Sequence, residues 1–286
     1  KSHFATVAEH RRVLVNLTSD YRRLLGQGVV ARFDPATYSD AVAFARIGEG
    51  SLGGKARGLA FMNSMLIKHR QYDMHEGVRI MIPRSVVIAT EYFDEFIRLN
   101  GLKYIISQEF SDEEILSEFV SSYVPPRLQQ ELKAYIRTVR TPLAVRSSSK
   151  LEDSHYQPFA GIYSTYMIPY TDNEDQMLRL LLRAVKSVYA SVYFAASRAY
   201  IQSSQNLISE EKMAVIIQEV CGTEQDGLFF PTCSGVARSI NYYPIGDERP
   251  EDGVCNIAMG LGKLVVDGGR TLRFSPRYPQ KVLQTS

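Results

Sequence analysis

One segment, from Ala144 to Thr165, constrains this chain more than any other. It begins as a short apolar strand, carries Arg146 at the end of that strand, and continues through a run of serines. A Phe-Ala-Gly161 turn then leads back into an extended stretch. An arginine fixed by a strand and followed by hydroxyls and glycine can hold a polyphosphate, because its guanidinium and the loop N–H groups both face an anion. A serine-rich surface turn is the alternative, and this segment alone does not decide between them.

A glycine-rich run between an apolar segment and a helical pattern is the second feature. Gly48, Gly50 and Gly53 match the dinucleotide fingerprint G-x-G-x-x-G. The P-loop pattern fails, since it needs serine or threonine where Ala56 stands. What remains is a loop that ends in Lys55 at a helix N-terminus, where N–H groups and an ammonium group suit phosphate. A dinucleotide site and a plain turn that opens a helix are the alternatives.

Apolar periodicity divides the chain into a helical first part and a strand-rich last part. It predicts a helix over residues 4–25, a helix that starts with Thr90 as its N-cap, and one long helix over residues 172–204. Met213–Val220 predicts a buried strand, and further strands follow. A helical half followed by a sheet-rich half predicts two lobes with a cleft between them.

Composition excludes several classes of function. Basic residues number 33 and acidic residues 31, so the net charge of +2 provides no field for nucleic acid or anionic membrane. No apolar run approaches the ~20 residues that span a bilayer, and Lys1–Thr6 lacks the apolar core of a signal peptide. Cys221, Cys233 and Cys255 stand apart, which disfavours zinc and disulfides. We therefore expect a cytoplasmic protein.

Six motifs occur in a fixed order between residues 44 and 277. They are Gly53-Gly54-Lys55; Pro83 with Thr90 and Tyr92; Ala144-Val-Arg146-Ser-Ser-Ser with Phe159-Ala-Gly161; Met213-Ala-Val-Ile-Ile-Gln218; Ser234-Gly-Val-Ala237; and Gly260-Leu-Gly262. In this order they resemble the ATP-binding N-terminal domain of the phosphoenolpyruvate synthase, pyruvate phosphate dikinase and rifampicin phosphotransferase family.

The resemblance implies an α+β fold, an ATP-grasp-like, two-lobed nucleotide-binding domain. Its first, helix-rich mixed lobe would comprise residues 44–205, and its second, strand-rich lobe residues 206–286. Residues 1–43 would form an N-terminal helical extension.

The resemblance also assigns phosphate-binding roles. Lys55 and Arg146 correspond to the family's lysine and arginine that contact ATP phosphates, and Gly161 and Thr165 lie near those phosphates. Arg277 corresponds to an arginine on the transferred phosphate. Lys55, Arg146 and Arg277 are therefore the predicted catalytic residues, because cationic groups can follow the phosphate charge into the transition state.

The nucleotide's base has its own predicted contact. Gln218, Glu219 and Val220 correspond to the hinge strand whose backbone pairs with the adenine edge in the family. ATP is thus the expected cofactor, bound between the two lobes.

The expected Mg²⁺ site departs from the family pattern. Lys263 replaces the glutamate that binds the metal, and Ser275 replaces a glutamine near it. Either another carboxylate holds the metal, with Glu219, Asp252 and Asp267 as candidates, or Lys263 takes over its charge. The metal ligands therefore remain open.

Phosphate relay is the last implication. Family members pass phosphate through a histidine on a swivelling domain, whereas His155 here is interpreted as a loop residue. We expect a domain-sized piece of a longer protein, whose partners are a phosphocarrier histidine domain and a substrate domain of the same polypeptide. A degenerate nucleotide-sensing or scaffold module of the same fold is the alternative.

Overall fold

The computed structural model describes residues 30–36, 38, 44–69, 76–106, 108–149, 163–203, 211–281 and 283–284. The chain divides into two compact units, of which the first ends at Val220 and the second begins at Cys221. The predicted helix over residues 4–25 lies outside the described residues, as do His155 and Gly161. Within the described part, no helix is long and apolar enough to cross a membrane.

The first unit combines one mixed sheet with helices. Its strands are β1 (Ala31–Arg32), β2 (Phe44–Ile47), β3 (Ser85–Ile88), β4 (Leu143–Ser149), β5 (Thr165–Ile168) and β6 (Met213–Glu219). Its helices are α1 (Gly53–Lys68), α2 (Thr90–Leu99), α3 (Asp112–Ser121), α4 (Pro126–Ile136), α5 (Glu174–Ala190) and α6 (Ala195–Ser203), with 3₁₀ turns at Leu102–Ile106 and Ser191–Tyr193. This mixture agrees with the predicted α+β class, and the ATP-grasp arrangement of two lobes stays a prediction.

The sheet has the order β1-β2-β3-β6-β4-β5. β1, β2 and β3 are parallel, whereas β6 is antiparallel to both β3 and β4. β6 lies inside the sheet because residues 213–218 are all buried, and a continuous apolar run needs cover on both faces. The predicted boundary after residue 205 put this strand in the second lobe; here it belongs to the first unit. β1 likewise joins the sheet, although residues 1–43 were predicted to form a separate extension.

The two faces of the sheet carry different layers. One face packs against α2 to α6 through the larger apolar cluster, which includes Tyr92, Phe96, Tyr135, Tyr189, Val215 and Ile217. The other face packs against α1 through a smaller cluster of Phe44, Ala56, Val87, Ala214 and Ile216. Because side chains alternate along a strand, Gln218 lies on the α1 face with Ile216.

The single long helix predicted over residues 172–204 is wrong. The structure has α5, a 3₁₀ turn and α6 in its place, with Phe194 extended between the last two (φ −64°, ψ 154°). Asp112 Oδ1 accepts the N–H of Ala195 at 2.8 Å, and Ser197 Oγ donates to the Ser191 carbonyl at 2.6 Å. These hydrogen bonds fix the first residues of α6 as the start of a separate helix. Apolar periodicity does not reveal them.

The second unit is built mainly from strands. β7 (Thr223–Gln225) and β8 (Leu228–Phe230) pair with each other, and a four-stranded antiparallel sheet has the order β12-β11-β10-β9. Its members are β9 (Cys233–Arg238), β10 (Val254–Met259), β11 (Leu272–Phe274) and β12 (Leu283–Gln284), and the short helix α7 (Lys263–Val266) follows β10.

A mostly buried ion pair stabilises the second unit. Arg273 Nη2 lies 3.0 Å from Glu248 Oε2, and the side chain of Glu248 is only 5% exposed. The same carboxylate accepts hydrogen bonds from the Asn241 side chain at 2.8 Å and the Ile245 N–H at 3.0 Å. The hydrogen bond from Arg273 lowers the pKa of Glu248 below its usual 4.5.

Glu248→Gln should lower the free energy of unfolding of the second unit by about 2 kcal/mol at pH 7, because a neutral amide cannot offset the charge of Arg273. A lowered pKa stabilises the folded state above the unfolded value of 4.5, and this contribution is lost as the pH falls through the folded pKa. The difference between variant and wild type should therefore shrink on acidification. Hydrogen exchange of the β10 and β11 amides in the whole chain measures it, with the exposed Glu251→Gln as control. A difference that grows below pH 4.5 contradicts this account.

Candidate functional site

The glycine loop joins β2 to α1 and lies against the end of β4. Gly53 has φ +74°, and a Cβ on it would stand 1.8 Å from the Ser148 carbonyl oxygen. Two backbone segments approach each other here without an intervening side chain. Only glycine satisfies both the left-handed conformation and this close approach.

Serines of β4 hold the first turn of α1. The Ser148 hydroxyl donates to the Leu52 carbonyl at 2.8 Å and accepts the N–H of Ala56 at 3.0 Å. Lys55 Nζ donates to Ser147 Oγ at 3.3 Å. Ser147 and Ser148 are 1% and 0% exposed, so the alternative of a serine-rich surface turn is wrong for these residues.

The other side of the loop is tied to the first turn of α2. The Ser51 N–H donates to Thr90 Oγ1 at 3.0 Å, and the Thr90 N–H returns a bond to the Ser51 carbonyl at 3.0 Å. The Glu49 N–H donates to Glu91 Oε2 at 2.7 Å. Thr90 was predicted to cap α2, but Ala89 occupies the N-cap and makes no side-chain bond. The Thr90 hydroxyl accepts a hydrogen bond from the glycine loop instead.

Strand register brings several predicted site residues together. Arg146 on β4 lies opposite Thr165 on β5 and opposite Ile216 on β6. Such cross-strand partners have Cβ atoms about 5 Å apart. The Gln218 carbonyl Oε1 accepts a hydrogen bond from Arg146 Nη1 at 3.3 Å. Within the described part of the chain, Arg146 forms no ion pair with a carboxylate.

Two cationic side chains belong to the junction of β4 and the glycine loop. Lys55 contacts Ser147, the residue after Arg146, although the Ser147 and Arg146 side chains point to opposite faces of the strand. The N-terminus of α1, which begins at Gly53, adds its partial positive charge at the same place. A polyanion is the ligand that such a combination favours.

Backbone N–H groups of the predicted hinge are engaged within the protein. The Glu219 N–H donates to the Arg84 carbonyl at 2.9 Å, and the Val220 N–H donates to the Pro142 carbonyl at 2.9 Å. The Glu219 carboxylate lies 2.6 Å from Arg84 Nη2, and both side chains are mostly buried. The predicted adenine contact of residues 218–220 stays a prediction.

Arg277 belongs to the second unit, where it is exposed and its Nη1 lies 3.4 Å from Asp252 Oδ1. The other carboxylates proposed for magnesium are also paired: Glu219 with Arg84, and Asp267 with the exposed Lys263 at 3.9 Å. A cationic neighbour opposes a bound dication. Among the described residues there is no group of three or more metal-ligating side chains. As they stand, these side chains do not fit a magnesium site.

Comparison with known proteins identifies the family of this chain. Residues 49–281 match the family described as the pyruvate phosphate dikinase AMP/ATP-binding domain. The chain belongs to this family. It is also 29% identical, over 66% of its length, to the uncharacterized phosphotransferase YvkC of Bacillus subtilis. It is 27% identical over 76% of its length to a phosphoenolpyruvate synthase of Aeropyrum pernix, and 26% identical over 71% to a probable phosphoenolpyruvate synthase of Staphylothermus marinus.

The chain spans only 20% to 25% of the length of these relatives. Membership in the pyruvate phosphate dikinase AMP/ATP-binding domain family accounts for the resemblance of the six motifs. A match to an AMP/ATP-binding domain disfavours the dinucleotide site considered for Gly48, Gly50 and Gly53. β2, α1 and β3 do form a parallel unit around that loop, but the sheet continues with antiparallel β6 rather than as a doubly wound parallel sheet.

Sequence reasoning missed the supporting hydroxyls of this site. Ser148 holds the start of α1, and Ser85 contacts the Gln218 side chain at 3.2 Å. Both are buried serines in otherwise apolar or functional strands. A buried serine needs a hydrogen-bond partner. A serine within a buried strand pattern is therefore a sequence signal for such a contact, although it does not identify the partner.

Gly53→Ala should destabilise the first unit by roughly 4 kcal/mol or more, because the added Cβ meets a backbone oxygen that cannot move aside. Gly58→Ala in the same helix is the matched control. A Cβ there meets nothing within 4 Å, and replacing a mid-helix glycine should stabilise the fold by about 0.5–1 kcal/mol. Urea denaturation followed by circular dichroism compares the two. Equal stabilities would refute the packing argument.

Proposed function

We propose that this chain is the ATP-binding part of a phosphoenolpyruvate synthase-like phosphotransferase. The observation that supports the proposal most strongly is that Lys55, at the start of α1, contacts Ser147 of β4, next to Arg146, which pairs with Thr165 of β5. ATP would lie with its phosphates at this point and its adenine towards residues 218–220. Lys55 and Arg146 would offset the charge of the triphosphate.

Phosphate transfer itself requires groups beyond this site. The Arg277 guanidinium would leave Asp252 and contact the transferred phosphate. The two units would correspond to the lobes of an ATP-grasp-like domain. A histidine on a further domain of the same polypeptide would accept the phosphate and pass it to the substrate. The greater length of the relatives is consistent with such domains. We propose a cytoplasmic location for the whole enzyme.

ATP affinity tests the proposal. Lys55→Ala and Arg146→Ala should each weaken ATP binding by about 10- to 100-fold, the cost of losing a charge-assisted hydrogen bond. Lys68→Ala is the matched control, because Lys68 is an exposed lysine at the opposite end of α1. Isothermal titration calorimetry on the whole chain measures all four proteins. Absence of ATP binding by the wild type at millimolar concentration would refute the proposal.

The second candidate is a nucleotide-sensing or scaffold module that transfers no phosphate. Lys263 favours it, because an exposed ammonium stands where the family places a metal-binding glutamate. In this case ATP would bind without chemistry, and the purified multidomain protein would show no phosphorylated histidine. A phosphohistidine formed from ATP would eliminate this candidate.

Lys263→Glu tests whether this position governs metal dependence. The change replaces the ammonium group of α7 with a carboxylate four residues before the Asp267 carboxylate. Mg²⁺ prefers hard oxygen ligands such as these. ATP affinity should then become more dependent on Mg²⁺, by about 3- to 10-fold. Titrations of wild type and variant with and without Mg²⁺ measure the change. An unchanged magnesium dependence would show that the position is no surrogate metal site.

A further inference from the structure

We infer that Ser85 and Gln218 are positioning residues that hold the guanidinium of Arg146, and that the Gln218 side chain does not recognise adenine. This inference rests on the proposed function, in which Arg146 binds the ATP phosphates. It assigns a role to Ser85, and it gives the side chain of Gln218 a different role from that proposed for the backbone of the hinge strand.

A chain of three hydrogen bonds crosses neighbouring strands on the α1 face of the sheet. Arg146 Nη1 donates to Gln218 Oε1 at 3.3 Å, and Gln218 Nε2 donates to Ser85 Oγ at 3.2 Å. Ser85 Oγ in turn donates to the Pro83 carbonyl at 2.9 Å. The chain thus begins at a backbone group at the entry to β3 and ends at the arginine of β4.

The hydrogen bond from Ser85 to the Pro83 carbonyl determines the donor and acceptor of the other two bonds. A carbonyl oxygen only accepts, so the single proton of Ser85 is used on Pro83. Ser85 can therefore only accept from Gln218, which must present its NH₂ group to the serine. The amide oxygen of Gln218 then faces Arg146, the only orientation that suits a guanidinium donor.

Burial makes this arrangement rigid. Ser85 is fully buried and Gln218 is 9% exposed, and their backbones are register partners across β3 and β6. Both functional ends of the Gln218 amide are engaged, so reaching a base would require breaking bonds in a buried environment. The Gln218 amide oxygen is therefore held against the Arg146 guanidinium.

A neutral acceptor is well suited to hold a phosphate-binding arginine. The amide orients one N–H of the guanidinium without cancelling its positive charge, whereas a carboxylate would compete with the phosphate. Removing the amide should therefore affect the triphosphate end of ATP and leave the adenosine end unchanged.

Two fragments of ATP test this separation. Gln218→Leu should weaken the binding of ATP and of inorganic tripolyphosphate by about 3- to 10-fold, the usual effect of one lost hydrogen bond. Adenosine binding, followed by NMR titration, should change less than about twofold. Ser85→Ala provides a smaller perturbation of the same chain of bonds and should shift the same two ligands in the same direction. Ser187→Ala, which removes a buried hydroxyl from α5, is the matched control and should change neither.

A double-variant comparison identifies the residue through which Gln218 acts. In an Arg146→Ala background, Gln218→Leu should cause no further loss of tripolyphosphate affinity, because the group that it positions is absent. Additive losses, or a loss of adenosine binding equal to that of ATP, would overturn the inference while leaving the proposed function intact. A wild-type chain that binds no ATP would instead overturn the proposed function and this inference with it.

Discussion

The contact between the glycine loop and the end of β4 supports the whole candidate site. Gly53 approaches the Ser148 carbonyl so closely that no side chain fits between them. The Ser148 hydroxyl then bonds both ends of the first turn of α1. Through this junction Lys55 contacts Ser147, the residue after Arg146, although 92 positions of sequence separate Lys55 and Ser147. The loop's second attachment, to Thr90 and Glu91 of α2, holds its other edge.

Much of this arrangement could be predicted because the relevant patterns are local. The strand that carries Arg146 and the glycine loop that leads to Lys55 are each contained in about ten residues, and their order matched one family; the strand itself runs on to Ser149. The partners of these groups are not local. Ser85 and Gln218 are 133 residues apart, and only the register of β3 with β6 brings their side chains together. Periodicity predicts which residues are buried in a strand, but it does not predict which strand lies beside it.

The same limit explains where the fold differs from the sequence-based expectations. The strand-rich composition after residue 205 suggested a new lobe, yet β6 completes the sheet of the first unit because residues 213–218 need cover on both faces. The continuous apolar pattern of residues 172–204 suggested one helix, yet Asp112, on a different helix, begins a new one at Ala195. In both cases a tertiary contact overrides a pattern that is locally consistent.

The partners of the arginines distinguish structural roles from binding roles. Arg84 and Arg273 face carboxylates in largely buried pairs, which fixes them in the fold. Arg146 instead donates to a neutral amide that is itself held by a serine and a backbone carbonyl. Among the described residues no carboxylate pairs with Arg146, so an arriving phosphate need not displace one of them. Arg277 differs, because Asp252 lies 3.4 Å from it. In the proposed reaction, Arg146 would therefore bind the nucleotide directly, whereas Arg277 would first have to leave Asp252, whose side chain is only 3% exposed and would lose a cationic partner.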